Sequence, residues 1–267
     1  MDSYPKSTFS IVGAGNVGKM LARRLLASGI PAAKVRIYDL DADKATKAAQ
    51  EVGIQVFSLP GSAPWKVNVW LLASPPKTIL SVVQLLADVL EKGDLVISFA
   101  AAVPLVELEK AVPAGVQVVR LLPSMTSYLG KGMNPVCYGV STSRETRQQV
   151  ERLLEALGEF IEVRDDQMNW CVGLSGAAMR AVLPALEGMV KAGIEAGFPA
   201  AEARRIAGQI MAGTAALLLE TDFTFADIKA MTPMEMVDEP AVARIFYESA
   251  RQAKEKTDSL QGRIVSP

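Results

Sequence analysis

The chain contains no histidine among its 267 residues. That excludes Ser-His-Asp triads, Cys-His pairs and imidazole metal sites together, and leaves acid-base work to Lys, Asp, Glu, Tyr, Cys or water. Cysteine is limited to Cys137 and Cys171, a usage that fits a reducing compartment and points to the cytoplasm, with one disulfide between them left open. Both thiols are expected to act as small buried apolar residues. No metal is expected. Lys and Arg total 28 against 29 for Asp and Glu, a net charge of -1, and no basic block stands ready to neutralise a phosphate backbone, so nucleic acid is not an expected partner. Long apolar runs are also lacking: the longest uncharged stretch, Ile206 to Leu219, is too short to cross a bilayer. The start Met1-Asp2-Ser3-Tyr4-Pro5 lacks the basic-then-apolar order of an export signal, so no membrane association is expected.

What is present describes a folded protein. Half of the residues (50%) are hydrophobic and 21% charged, enough for one large or two modest domains without covalent staples. Short β-branched runs alternate with helical patterns. Thr8 to Val12, a helix over Asn16 to Ser28 and Val35 to Tyr38 form a βαβ unit. The alternation continues through Val67 to Leu72, a helix over Lys77 to Glu91, Leu95 to Phe99 and Val116 to Leu122. Val136 to Val140, a helix over Glu145 to Leu157 and Phe160 to Val163 then extend the sheet at its edge. Continuous apolar strands of this kind suit an α/β fold, a Rossmann-type doubly wound parallel sheet covered on both faces, spanning residues 1–165.

Strand signals end near Asp166. Leu174, Ala177, Ala178, Ala181, Val182, Ala185 and Met189 recur at helical spacing. A second helix over Pro199 to Glu220 carries Ala203, Ala207, Ile210, Thr214 and Leu217 on one face and Ala212, Ala215 and Leu218 on another. A helix apolar all round needs cover, and residues 166–267 offer little volume to supply it. An all-α dimerisation domain, covered by another subunit of a homo-oligomer, is therefore expected.

Between the first strand and the first helix lies Gly13-Ala14-Gly15-Asn16-Val17-Gly18, a G-x-G-x-x-G. Its first glycine permits a tight turn, Gly15 lets backbone approach a pyrophosphate, and Gly18 lets helix pack on strand; the helix N-terminus favours the phosphates. Asp39, about twenty residues on, closes the second strand, where a carboxylate accepts hydrogen bonds from an adenosine ribose. A carboxylate there repels a 2′-phosphate and Leu40 offers no compensating cation, so NAD(H) is favoured over NADP(H). Lys44 or Arg36 drawn inward would weaken that preference, and Asp39 has the alternative role of capping the helix beginning near Ala42. Ala73-Ser74-Pro75-Pro76 and Ala100-Ala101-Ala102-Val103-Pro104 fall where two further strands end, and their small side chains allow a cofactor close.

These landmarks in this order resemble the pyrroline-5-carboxylate reductase family along nearly the whole chain. Phe9 to Gly18 is similar to that family's opening, Ile97 to Pro104 to its S-x-A-A-G-(I/V) segment, and Val119-Arg120-Leu121-Leu122-Pro123-Ser124 to its V-R-x-M-P-N. Leu174-Ser175-Gly176 matches the start of L-S-G-S-G-P-A, and Ala192-Gly193-Ile194-Glu195-Ala196-Gly197-Phe198-Pro199 resembles A-G-V-x-x-G-L-P. Met231-Thr232-Pro233 is similar to part of T-S-P-G-G-T-T. The resemblance implies a dinucleotide-binding domain, a helical dimerisation domain, and hydride delivery from a nicotinamide to the C=N bond of a small cyclic imine. It implies that Ser175, Thr232 and Ser124 position substrate through their hydroxyls.

The departures gather where that family holds substrate. Its asparagine is Ser124, and its S-G-S-G-P-A becomes Ser175-Gly176-Ala177-Ala178-Met179-Arg180. The G-G-T-T that receives the substrate carboxylate and ring nitrogen reads Met234-Glu235-Met236-Val237. Glu235 facing a carboxylate would repel it in a poorly screened pocket, and Arg180 is the candidate replacement cation. Thr232-Pro233-Met234-Glu235 has the alternative reading of a T-x-x-E capping box that starts a helix, and Arg180 that of a solvated helix residue. Two further functional readings stand beside the reductase. Gly176, Arg180 and Pro184 fall at the spacing of the G-x-x-x-K-x-x-x-N helix of β-hydroxyacid dehydrogenases, although an arginine stays protonated and cannot act as the base. A regulatory dinucleotide-binding protein with a decayed pocket is the other.

Overall fold

The structure is a computed structural model that describes residues 7–57, 68–232 and 234–265. The chain runs β1 (Phe9–Val12), α1 (Asn16–Ala27), β2 (Val35–Tyr38), α2 (Ala42–Val52), β3 (Gln55–Val56), β4 (Val69–Leu72) and α3 (Ile79–Leu86). It continues through β5 (Leu95–Ser98), α4 (Leu105–Ala111), β6 (Gln117–Leu121), β7 (Gly132–Tyr138), α5 (Arg144–Leu157) and β8 (Gly158–Glu162). The last five helices are α6 (Met168–Cys171), α7 (Ala178–Glu195), α8 (Ala200–Glu220), α9 (Phe225–Ala230) and α10 (Glu239–Val265).

The strands form one eight-stranded sheet in the order β3-β2-β1-β4-β5-β6-β7-β8. Every pairing is parallel except β6 with β7. The chain moves outward from β1 to β3, then crosses back to β4, so the order reverses between β1 and β4. In open α/β sheets that reversal opens a crevice at the carboxyl ends of the strands. β1, β4 and β5 are buried throughout because both faces are covered. Ile11, Leu71 and Ile97 point into a cluster with Leu21 and Leu25 of α1 and Leu153 and Leu157 of α5. Val12, Leu72 and Val96 point the other way, against Val83 and Leu86 of α3 and Leu105 and Leu108 of α4. The expected doubly wound architecture is thus present.

The chain forms two compact units, one of residues up to Gly176 together with those from Ala250 onward, the other Ala177–Ser249. Helical structure begins near residue 166 as expected, yet α6 and the last turns of α10 belong with the sheet. A buried cation explains this. Arg120 of β6, 1% exposed, donates from Nη1 to Asp165 at 2.7 Å and from Nη2 to Asn169 at 3.4 Å. Asp165 also accepts the Leu105 N–H that opens α4, and Asn169 donates to Asp258 and Gln261 of α10. A methyl group on Gly173 would lie 2.5 Å from the Ala250 carbonyl oxygen, so a glycine there lets α10 approach closely.

In the second unit α7 and α8 cross where Gly193 faces Ala203; a Cβ on Gly193 would stand 2.9 Å from the alanine methyl. Only Ala203 and Ala207 of α8 are buried, while Ile206 and Ile210 are 51% and 53% exposed. A single chain therefore leaves these apolar helices open, as expected of a segment made for a partner subunit.

Several boundaries differ from expectation. The helix expected over 77–91 ends at Leu86 and is preceded by a 3-10 turn, Pro76–Thr78. The strand expected from Val136 begins at Gly132, and Val67 lies outside the described residues. β3, α4 and α10 were not anticipated. The capping-box reading of Thr232 to Glu235 is corrected: no helix starts there, residues 234–236 are irregular, and Pro233 lies outside the described residues. The capping box is at Thr224, whose side chain accepts the Asp227 N–H while Asp227 accepts from the Thr224 N–H, at the start of α9.

Both cysteines are free and buried, within the second apolar cluster. Burial pushes the Cys137 thiol up to about 11 and raises Cys171 as well. A charged thiol reagent at pH 8 is expected to label neither in the native protein and both in denaturant. Arg120→Ala, which takes the buried cation from Asp165 and Asn169 while leaving their other partners in place, is expected to lower stability by about 2–3 kcal/mol in urea unfolding; a change under about 1 kcal/mol would show that the buried cation is not what ties α6 and α10 to the sheet.

Candidate functional site

The site begins with the turn from β1 into α1. Gly13 has φ +114°, and its N–H donates to the Tyr38 carbonyl at 2.7 Å. A Cβ there would stand 2.6 Å from the Ala73 carbonyl oxygen, and one on Gly18 would fall 1.9 Å from that of Gly13. Gly13 and Gly18 are therefore demanded by the fold itself. Gly15 is different: among the described residues nothing lies within 4 Å of where its Cβ would be. Gly15 is the N-cap of α1, makes no side-chain cap, and no acidic residue stands in the first turn. The helix N-terminus thus opens on space with no side chain of its own capping its first amides, and such an end is suited to hold a phosphate.

Asp39 follows β2 directly. Its Oδ2 accepts the Ala14 N–H at 2.8 Å and the Lys44 ammonium at 2.8 Å, and its Oδ1 the Asp41 N–H at 3.2 Å. Burial alone would raise its pKa, but the bonds from Lys44, Ala14 and Asp41 outweigh burial and hold the carboxyl below its usual range. It is ionised at neutral pH. The suggestion that Asp39 caps α2 is corrected, since Asp41 is the N-cap and accepts the Lys44 N–H at 3.0 Å.

A cavity of about 520 Å³ opens over the carboxyl ends of β1, β2 and β4, at the reversal of strand order. Of the residues expected to hold a cofactor, it gathers Gly13, Gly15, Asp39, Ala73, Ser74 and Pro75. Gly18 stands behind the turn, Val17 is half-buried against the core and Asn16 is exposed at the start of α1. Ala100 and Ala101 follow β5 and do not line this cavity; next to them Ala102, fully buried, adopts φ +62°. Thr78, Ser81 and Leu85 complete the wall from the other side. They were missed in the sequence, where only the Pro75-Pro76 pair marked the start of that segment.

The four residues expected at the substrate are divided between the units. Ser124, 4% exposed, caps a 3-10 turn, Met125–Leu129, and its hydroxyl pairs with that of Thr126 at 2.8 Å. Ser175 is buried in a π-helical turn, Val172–Gly176, and donates to the Cys171 carbonyl at 2.8 Å. In the second unit Arg180 and Thr232 are exposed, as are Met234, Met236 and Val237. Among the described residues no cluster of His, Cys, Asp and Glu has the makings of a metal site, and no helix is long and apolar enough to cross a membrane.

Comparison with known proteins adds two matched segments. Residues 8–102 match a family described as NADP oxidoreductase coenzyme F420-dependent, and residues 165–236 one described as pyrroline-5-carboxylate reductase dimerisation. The chain is 24% identical over 266 residues to a pyrroline-5-carboxylate reductase of Corynebacterium melassecola, covering 95% of this chain and 98% of the relative. It is 28% identical to that of Pseudomonas aeruginosa, covering 85% and 83%. Among solved structures, a Plasmodium falciparum pyrroline carboxylate reductase with NADP bound superposes with a TM-score of 0.84 at 16% identity, covering 96% of this chain and 98% of the other. The last likeness is one of fold.

Two glycine variants separate fold from binding. Gly18→Ala is expected to open the turn and lower the melting temperature by several degrees, because the new methyl has nowhere to go. Gly15→Ala is expected to melt like the parent while weakening NADH binding at least tenfold in a fluorescence titration. Equal effects on both measures would refute the distinction.

Proposed function

We propose that this chain, a divergent member of the pyrroline-5-carboxylate reductase family, is an NAD(P)H-dependent reductase that delivers hydride to the C=N bond of a small cyclic imine such as 1-pyrroline-5-carboxylate, forming proline. The carrying observation is the glycine turn, the open helix end and the ionised Asp39 meeting at one cavity on the strand reversal.

When bound, the nicotinamide supplies the hydride. The chain's task is to hold and orient. The amides at Gly15 and the first turn of α1 take the pyrophosphate, where a side chain on residue 15 would intrude. Asp39 accepts from the adenosine ribose hydroxyls, which favours NADH over NADPH. The small residues Ala73, Ser74, Ala100 and Ala101 leave room for the cofactor along the strand ends. Ser124, Ser175 and Thr232 position the imine through hydroxyls, and Arg180 supplies a cation in place of the altered Met234 to Val237 loop. An iminium carbon is already electrophilic, so orientation and exclusion of water suffice without histidine.

Residues 1–165 act as the dinucleotide-binding domain and 166–267 as the dimerisation and substrate domain. The structural units differ from this functional division because α6 and the end of α10 pack with the sheet. A second copy of the chain covers the open apolar faces of α7 and α8, giving a homo-oligomer that works in the cytoplasm.

The test is oxidation of NADH, and of NADPH in parallel, with pyrroline-5-carboxylate. The expected result is turnover that prefers NADH and falls at least tenfold in a Ser175→Ala, Thr232→Ala double variant. Bound cofactor with no turnover would overturn the substrate assignment. In sedimentation at micromolar concentration a dimer or larger species is expected, and a monomer would contradict the role given to α7 and α8.

A further inference from the structure

Lys44 is the one cation among the described residues lining the cavity. It stands at the third position of α2, in a turn that also carries Asp39, Asp41 and Asp43. The three carboxylates are not equivalent. Asp41 is committed to the helix as N-cap. Asp39 faces the cavity and takes the Lys44 ammonium at 2.8 Å. The Lys44 side chain is 49% exposed while that of Asp39 is 14% exposed, so the cation is the mobile member of the pair and the carboxylate the fixed one. Asp39 is anchored further by the Ala14 and Asp41 amides, bonds that do not involve the lysine.

A 2′-phosphate placed beside Asp39 would meet a carboxylate that cannot move away. Alone, Asp39 would reject it. An exposed ion pair, however, holds its partners weakly, and a flexible four-carbon stem lets an ammonium reach a new anion nearby. The phosphate would bring more charge than the carboxylate it competes with.

Resting on the dinucleotide reading of the site, we propose that Lys44 is a specificity-determining residue that alternates between two partners. It pairs with Asp39 when the cofactor carries a 2′-hydroxyl, and turns to the phosphate when it carries a 2′-phosphate. Asp39 then sets the preference for NADH, and Lys44 sets how much NADPH the site tolerates. The proposal differs from a simple preference in assigning the two halves of the discrimination to two residues only one of which moves.

The experiment is a fluorescence titration of NADH and of NADPH against the parent protein, Lys44→Ala and Lys44→Arg, at low and at physiological salt, each variant first checked for unchanged melting. Loss of one charge-assisted hydrogen bond corresponds to roughly tenfold in affinity. Lys44→Ala is therefore expected to weaken NADPH by about tenfold and to leave NADH within about threefold. Lys44→Arg should retain NADPH. Salt should weaken NADPH more in the parent than in Lys44→Ala. The proposal is overturned if Lys44→Ala weakens both nucleotides alike, if NADPH is unaffected, or if the parent binds NADH but not NADPH. Binding of neither nucleotide to the parent would instead bring down the dinucleotide reading, and this proposal with it.

Discussion

The contact between the α carbon of Gly18 and the carbonyl of Gly13 leaves no space even for a methyl group: a Cβ would lie 1.9 Å from that oxygen. On this closeness the rest of the site depends. It draws the first turn of α1 against the end of β1, and the Gly13 N–H on Tyr38 ties the same turn to β2. The Ala14 N–H on Asp39 adds a second tie, so the residue that would recognise a ribose is fixed to the turn that would recognise a pyrophosphate. The fold therefore sets the spacing between the two elements proposed to meet a dinucleotide, which is what preorganisation requires.

A second constraint works across the sheet. Arg120 is buried on the face opposite α1, and its charge is answered by Asp165, which holds the start of α4, and by Asn169, which reaches α10. Taking only one partner out of such a network leaves an unmatched buried group. The loop before α4 contains Ala102 at φ +62°, a conformation that costs an alanine of the order of 1 kcal/mol and that persists because the surroundings fix it. This loop joins the end of β5 to a helix whose first amide is held on Asp165. The geometry near the strand ends is thus set partly by a network that also binds the returning helix.

How much of this the sequence disclosed follows from the range of the interactions. The strands Phe9–Val12, Val69–Leu72 and Leu95–Ser98 carry their own signal, because a strand buried on both faces is apolar at nearly every position. The glycine turn was legible because G-x-G-x-x-G is a pattern within six residues, even though one of its demands, the Ala73 carbonyl at Gly13, comes from far along the chain. α4 was not, being seven residues between Pro104 and Pro113, too short for a periodic pattern. α10 was missed despite its length. Its apolar residues, Val242, Ile245, Phe246, Ala250 and Ala253, recur at helical steps, so the helix itself has a local signal. What no local pattern could disclose is that its latter half returns to the sheet, since that depends on Asn169, Gly173 and the buried Arg120. At the site, the sequence pointed to Asp39 as the candidate ribose acceptor. Lys44 was named as a residue that could be drawn inward there, and it does pair with Asp39; the bond from the Ala14 N–H was not expected, because a contact across twenty-five residues leaves no trace in spacing.

The substrate end rests on different ground. Ser124 and Ser175 already have intramolecular partners, so their hydroxyls must share or exchange those bonds to meet a ligand. On the proposed reading, the cofactor elements are kept in place and the variation lies where the imine would be held. The measurement that bears most directly on this account is transfer of isotope from NADH dideuterated at the nicotinamide C4 to pyrroline-5-carboxylate, read by mass spectrometry of the product. The account predicts proline heavier by one deuterium at the former imine carbon. Unlabelled product, or no product while the nucleotide is bound, would contradict it.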